Sequence, residues 1–292
     1  MSNNKLYIVT SSFSYNVVSD YLKNIAYGFK KYGDVDVIFL MDKFDLDEVK
    51  NNPVIYLSRN FLDVGKREYM LNLCQIFKYN DTKSHLFAAI QKVIDCNNTI
   101  IDFSSENIKN IKFMAGDKCK KIIHFPYIHN PNDNIFSCAI SHVYDVCIVG
   151  ALTPRRKKIY DELLNRKIKV IHMDNVYGQK RDENICRSKM LLNLHSYDEA
   201  NIIESIRCNP VIFKKILIIS EESVHDSNML INRYIIYKKY EDIVDSVIDI
   251  MNNYIENYNK IYGNMEDHDK SILQLNTIMM DSVHEFMSQN SM

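Results

Sequence analysis

The chain has 292 residues, 46% hydrophobic and 25% charged, a globular composition long enough for two domains. A formal net charge of −1 gives no long-range attraction to nucleic acid or to an anionic membrane, so neither is expected as a partner. No apolar run reaches the roughly 18 residues of a membrane span, and the opening MSNNKLYIVTSS lacks a signal-peptide pattern, so the sequence predicts a cytoplasmic protein, or one of the host cytoplasm if viral.

Seven cysteines without a C-x-x-C pair suggest neither a disulfide framework nor a zinc knuckle, and they read as reduced and mostly buried.

In chain order, Leu6 to Thr10 reads as a first strand. Val18, Tyr21, Leu22, Ile25 and Phe29 recur at helical spacing between Val17 and Lys31, and Gly33 ends that helix. Further strands are predicted at Val35 to Met41, Val54 to Leu57, Thr99 to Phe103 and Lys121 to Phe125, with helices near 67–78, 83–95 and 105–114. Such alternation predicts a mostly parallel sheet. Ligands of open α/β sheets bind beyond the carboxyl ends of strands. The segment Ser11 to Tyr15, read as a loop, therefore supplies ligand-contact candidates in Ser11, Ser12 and Tyr15. Pro126 to Asp133 reads as a linker, and His129 within it is a candidate general base because an imidazole titrates near neutrality.

The second half carries more chemistry. Val146 to Val149 is a short apolar strand ending at Gly150, and Thr153-Pro154 is an N-cap and first-turn pair. Arg155, Arg156, Lys157 and Lys158 follow in the helix's first turn, where the dipole disfavours cations by about 0.3 kcal/mol or more each. A diphosphate there would resolve the conflict, meeting free N–H groups and guanidinium forks together. Met190 to Leu194 reads as a strand ending at His195, followed by a helix from Asp198 or Glu199 that stops before Pro210. On that helix Asn201, Glu204 and Arg207 form one polar stripe, and Glu204 can accept hydrogen bonds from ribose hydroxyls. Asn193, His195 and Tyr197 at one strand end, and Ser220 and Ser223 at the next, are further candidates to line a ligand at this end of the sheet.

The segments VGALTPRRK, RDENICRSKMLLNLHSYDEANIIESIRCNPVI, ILIISEES and RYIIYKKYEDIVDSVIDIM resemble the donor-binding domain of GT-B-fold glycosyltransferases. The likeness is to the short glycosyltransferase-like proteins of bacteria and large DNA viruses, over residues 144 to 255. It implies two Rossmann-like α/β domains facing a cleft: an acceptor-side domain at 1–130, a donor domain at 131–265, and a C-terminal helix at 266–292 crossing back to the first domain. It also implies that Gly150, Thr153, Arg155 and Arg156 hold the donor diphosphate. Glu204, opening a Glu-small-x-x-x-x-Pro segment, would hold the ribose.

The function expected is metal-independent transfer of a sugar from a nucleoside diphosphate sugar to a glycan, protein or small-molecule hydroxyl, with no cofactor. The alternative is a nucleotide-sugar-binding or scaffold protein that has lost transfer. Dinucleotide or nucleoside triphosphate chemistry is disfavoured, because no G-x-G-x-x-G follows a predicted strand and no G-x-x-x-x-G-K-[ST] occurs.

Overall fold

A computed structural model describes residues 4–42, 49, 52–57, 68–73, 85–118, 121–131, 142–198 and 201–292. The chain divides into two compact units, Met1–Ile128 with Leu275–Met292, and His129–Gln274.

Among its described residues the first unit holds six parallel strands: β1 Lys5–Thr10, β2 Asp36–Met41, β3 Val54–Leu57, β4 Glu68–Asn72, β5 Thr99–Asp102 and β6 Ile122–His124. Their order is β2-β1-β3-β4-β5-β6, so the winding reverses between β1 and β3. Among the described residues its α-helices include α1 Ser12–Gly33, α2 His85–Asp95 and α3 Ser105–Ala115. β5 is buried along its whole length, the signature of a parallel strand covered on both faces.

Two readings are corrected here. Residues 68–72 of the expected 67–78 helix form strand β4, and 74–78 lie outside the described residues. The expected loop at Ser11 to Tyr15 is the start of α1. Ser11 is its N-cap, with a side chain that accepts from Ser14 N at 3.1 Å.

The C-terminal helix α9, Met265–Asn290, contributes its residues from Leu275 onward to this unit. Phe286 stands edge-on to Phe29 at 5.0 Å and lies 4.3 Å from the Tyr69 ring, all three buried. Two glycines of α1 permit the close approach. A Cβ at Gly28 would lie 3.0 Å from Met279, and one at Gly33 would lie 2.5 Å from the Met287 sulfur. The Asn24 side chain donates to Ile128 O at 2.8 Å and accepts from Ile128 N at 2.9 Å, so the end of the unit is held as a strand partner would hold it.

Asp102, fully buried at the end of β5, accepts from Asn72 Nδ2 at 2.6 Å, Ser104 N at 2.8 Å and Asn107 Nδ2 at 3.1 Å. Burial pushes its carboxyl up to about 7, against these bonds, which favour the charged form. Its folded pKa is raised, so the native state keeps a proton that the unfolded chain has lost between about pH 4 and 7. Stability therefore falls as pH rises through that window, by up to about 1.4 kcal/mol per pH unit. Urea midpoints near pH 5 and pH 7 check this: the wild type loses stability over the interval, and Asp102→Asn, whatever its absolute stability, lacks this fall.

Among its described residues the second unit holds five parallel strands, β7 Tyr144–Val149, β8 Val170–Met173, β9 Ser188–Asn193, β10 Leu217–Glu221 and β11 Ile235–Lys238, in the order β11-β10-β9-β7-β8. The winding reverses between β7 and β9. Helices α4 Pro154–Asn165, α5 Gly178–Cys186, α6 Ser205–Phe213, α7 Ile243–Asn252 and α8 Tyr254–Tyr262 complete it. Helix α6 differs from expectation. It starts at Ser205 because Ile202 is held in a parallel bridge with Val224, which keeps 201–203 extended and takes Asn201 off the helix. Pro210 lies inside α6 instead of ending it.

Cys147, Cys186 and Cys208 are buried and Cys96 is exposed, none of them in a disulfide, while Cys74, Cys119 and Cys138 fall outside the described residues. Among the described residues no helix is long and apolar enough to cross a membrane.

Candidate active site

The crevice at the carboxyl ends of β7 and β9 is where a doubly wound sheet places its ligand. Gly150 leaves β7 with φ +99, and Gly150 N–H donates to Met173 O at 2.8 Å. Thr153 caps α4, accepting from Arg156 N at 3.5 Å, with Pro154 in the first turn. The backbone N–H groups of Ala151, Leu152 and Arg155 bond to no described group. The turn therefore presents donors at the positive end of a helix.

A Cβ at residue 150 would lie 3.1 Å from Arg156 Nη1 and 3.7 Å from Arg207 Nη2. Gly150→Ala combines a left-handed backbone with that contact, so it is expected to cost about 1–2 kcal/mol in urea unfolding. Far-UV circular dichroism reads the transition, since the chain has no tryptophan.

The basic run is tied into the protein more tightly than its sequence suggests. Arg156 is 3% exposed. Its Nε and Nη2 donate to Leu194 O at 3.0 and 2.7 Å, and its Nη1 donates to Ala151 O at 3.1 Å, so it bridges β7 to β9 across the crevice. Burial, helped by the charge of Arg207, lowers its pKa to about 10, and it stays cationic at neutral pH.

Arg155 makes a two-pronged pair with Glu221, with Nη1 at 2.6 Å from Oε2 and Nη2 on Oε1, and its Nε donates to Asp198 at 2.5 Å. Its guanidinium also lies 3.8 Å from the Tyr240 ring centre, and Tyr240 Oη donates to Arg155 O at 2.8 Å. Burial opposes its charge, but the carboxylate bonds outweigh that and raise its pKa. Lys157 pairs with Asp161 on the helix surface.

Glu221 was not singled out by the sequence, yet it joins two strand ends, because it also accepts from His195 N at 3.2 Å. A guanidinium has five N–H donors, so the contacts above leave part of each arginine fork available to a ligand.

A polar chain runs across the floor. Glu204 pairs with Arg207 at 2.6 Å, and Arg207 Nη1 donates to Asn193 Oδ1 at 2.8 Å. Asn193 donates to Ser220 Oγ at 3.0 Å, Ser220 lies 3.4 Å from Ser223 Oγ, and Ser223 Oγ lies 3.1 Å from His195 Nε2.

The structure thus brings Gly150, Thr153, Arg155, Arg156, Asn193, His195, Glu204, Ser220 and Ser223 to one end of one sheet. Tyr197 stands 65% exposed beside them. His129 is not brought there. It packs edge-on against Phe213 at 5.3 Å, at the opposite end of α6 from Glu204. Ser11, Ser12 and Tyr15 lie in the first unit, beyond the ends of β1 and β2. Ser12 bonds to Asp42 through its N–H at 3.0 Å and through its hydroxyl, and Tyr15 lies edge-on to Phe39 at 5.4 Å. Among the described residues no group of three or more His, Cys, Asp or Glu is placed to hold a metal ion.

Solved structures share this architecture across nearly the whole chain. The bacteriophage T4 BGT, solved in complex with UDP and Mn2+, aligns over 99% of this chain and 100% of its own at TM-score 0.60 and 13% identity. AviGT4, a glycosyltransferase involved in avilamycin A biosynthesis, aligns over 99% and 98% at TM-score 0.61 and 9% identity. The fold is the GT-B fold of glycosyltransferases. No family model matches the sequence. Protein R358 of Acanthamoeba polyphaga mimivirus is 30% identical over 226 residues, which are 76% of this chain and 73% of R358. The chain belongs to the same family as that viral protein.

Proposed function

We propose that the protein is a glycosyltransferase that binds a nucleoside diphosphate sugar in the β7–β9 crevice and passes the sugar to an acceptor hydroxyl, with neither a cofactor nor a protein-held metal. The observation that carries this reading is the convergence, at a topological switch point, of the Gly150 turn, the N-terminus of α4, two guanidinium groups and the Glu204 carboxylate. The GT-B fold, and the UDP bound by the T4 protein, support the nucleotide-sugar part of this reading.

In this reading the N–H groups of Ala151, Leu152 and Arg155, with the remaining donors of Arg156 and Arg207, receive the diphosphate. As the bond from the sugar carbon to the phosphate oxygen breaks, negative charge grows on the leaving diphosphate, and these fixed donors stabilise it. Arg155 contributes charge from its Glu221-held position. Glu204 accepts from the ribose hydroxyls, while Asn193, His195 and Tyr197 line the base or sugar, flanked by Ser220 and Ser223. In the first unit, Ser11, Ser12 and Tyr15 are the proposed acceptor contacts. No step is assigned to His129.

Release of nucleoside diphosphate from UDP-, GDP- and TDP-sugars tests the proposal. One donor class is expected to be turned over slowly with water as acceptor, and Arg156→Met to reduce the rate at least a hundredfold. Binding of a nucleotide sugar without release of diphosphate, even when candidate acceptors are added, would favour the alternative of a binding protein without transfer.

A further inference from the structure

His195 follows β9 and is 3% exposed. Its Nε2 lies 3.1 Å from the Glu222 carbonyl oxygen and 3.1 Å from Ser223 Oγ. A carbonyl oxygen only accepts, so Nε2 carries the proton. Ser223 agrees with that assignment: its hydroxyl donates to Glu221 O at 2.7 Å, leaving its oxygen free to accept from Nε2. The network therefore fixes one neutral tautomer, with a bare lone pair on Nδ1. Burial holds the ring neutral against the pull of the Glu221 and Glu204 carboxylates, with Arg155 adding to the effect of burial.

Nδ1 has no hydrogen-bond partner among the described residues, and it is not one of the fully enclosed polar atoms without a partner. It therefore keeps some solvent access, at the carboxyl end of β9 where a doubly wound sheet places its ligand. A bare lone pair there is satisfied only by a donor, an O–H or an N–H. Ionised phosphate oxygens only accept, so the diphosphate cannot serve. Position selects among the remaining parts of the ligand. Glu204 lies at one end of the polar chain and His195 at the other. Between them Arg207 and Arg156 both approach Gly150, and Arg156 holds the carbonyl of Leu194, next to His195.

Resting on the donor-site reading above, we propose that His195 Nδ1 accepts a hydrogen bond from a hydroxyl of the donor's sugar, making His195 the residue that distinguishes a nucleotide sugar from the bare nucleotide. The ribose and the diphosphate are then held by Glu204 and by the Gly150 turn, and His195 reads only what lies beyond them.

His195→Gln tests this, because the glutamine amide can replace the Nε2 donor to Glu222 O while offering nothing at the Nδ1 position. Calorimetry with UDP and UDP-glucose, GDP and GDP-mannose, and TDP and TDP-glucose is expected to show nucleoside diphosphate affinity unchanged within about twofold. The matching nucleotide sugar weakens by roughly tenfold, the scale of one hydrogen bond. An equal loss for both ligands, or no loss for the sugar, overturns the proposal. If neither ligand binds the wild type, the donor-site reading itself fails and this inference falls with it.

A second measurement needs no variant. In 15N-labelled wild type, the Nδ1 resonance of His195 starts at the value of an unprotonated, unbonded nitrogen. It is expected to move on adding the nucleotide sugar and to stay in place with the nucleoside diphosphate. A resonance that responds alike to both overturns the proposal.

Discussion

Phe286→Ala is expected to lower the unfolding free energy by about 4 kcal/mol, because it removes a whole ring from a closed aromatic cluster. Phe286 is fully buried, and Phe29, Tyr69 and Phe125 surround it at 5.0, 4.3 and 6.4 Å. These neighbours belong to α1, β4 and the segment after β6, elements that cannot collapse together onto the vacated volume. Urea unfolding followed by circular dichroism measures the loss. A value below about 1 kcal/mol would mean that the end of α9 is not part of the first unit's core.

Glu221→Ala is expected to cost about 3 kcal/mol and to weaken nucleotide binding as well. The Glu221 side chain is 9% exposed and that of Arg155 is 17%, so removing the carboxylate strands a largely buried guanidinium and the His195 N–H together. Asp198 retains one contact to Arg155, but it is 86% exposed and replaces little of the lost pairing. Because Glu221 fastens the turn after β7 to the end of β9, its loss should loosen both walls of the crevice. Glu221→Gln keeps the shape and one acceptor, and is expected to fall between wild type and alanine in both stability and affinity. A Glu221→Ala variant as stable as the wild type would show that the pair only balances its own desolvation.

Much of the site was legible where chemistry and short-range pattern coincide. The apolar run Val146 to Val149, the glycine after it and the Thr153-Pro154 pair each have a local physical meaning, and together they define the turn. Glu204 and Arg207 are three residues apart and meet as that spacing predicts.

What escaped the sequence depends on distant partners. Arg155 and Glu221 are 66 positions apart, and nothing around Ser220 to Ser223 signals that the first of two glutamates turns inward. Tyr69, Met70, Leu71, Leu73, Ile76 and Phe77 suit a helix by spacing and lack β-branching across 69–73. Pairing with β3 and β5 overrides that preference and makes 68–72 a strand. Pro210 reads as a stop because its missing N–H breaks a helical bond, but α6 continues past it to Phe213. The start of α6 was set by the Ile202–Val224 bridge, a contact between segments no local pattern connects.

The most direct test of the donor site is calorimetric titration of the wild type and of Glu204→Ala with UDP, GDP and TDP. The account predicts that one nucleotide binds the wild type and that the substitution weakens it tenfold or more, about 1.4 kcal/mol. Absence of binding at millimolar nucleotide, or an affinity that Glu204→Ala leaves unchanged, would contradict the assignment of the β7–β9 crevice as the donor site.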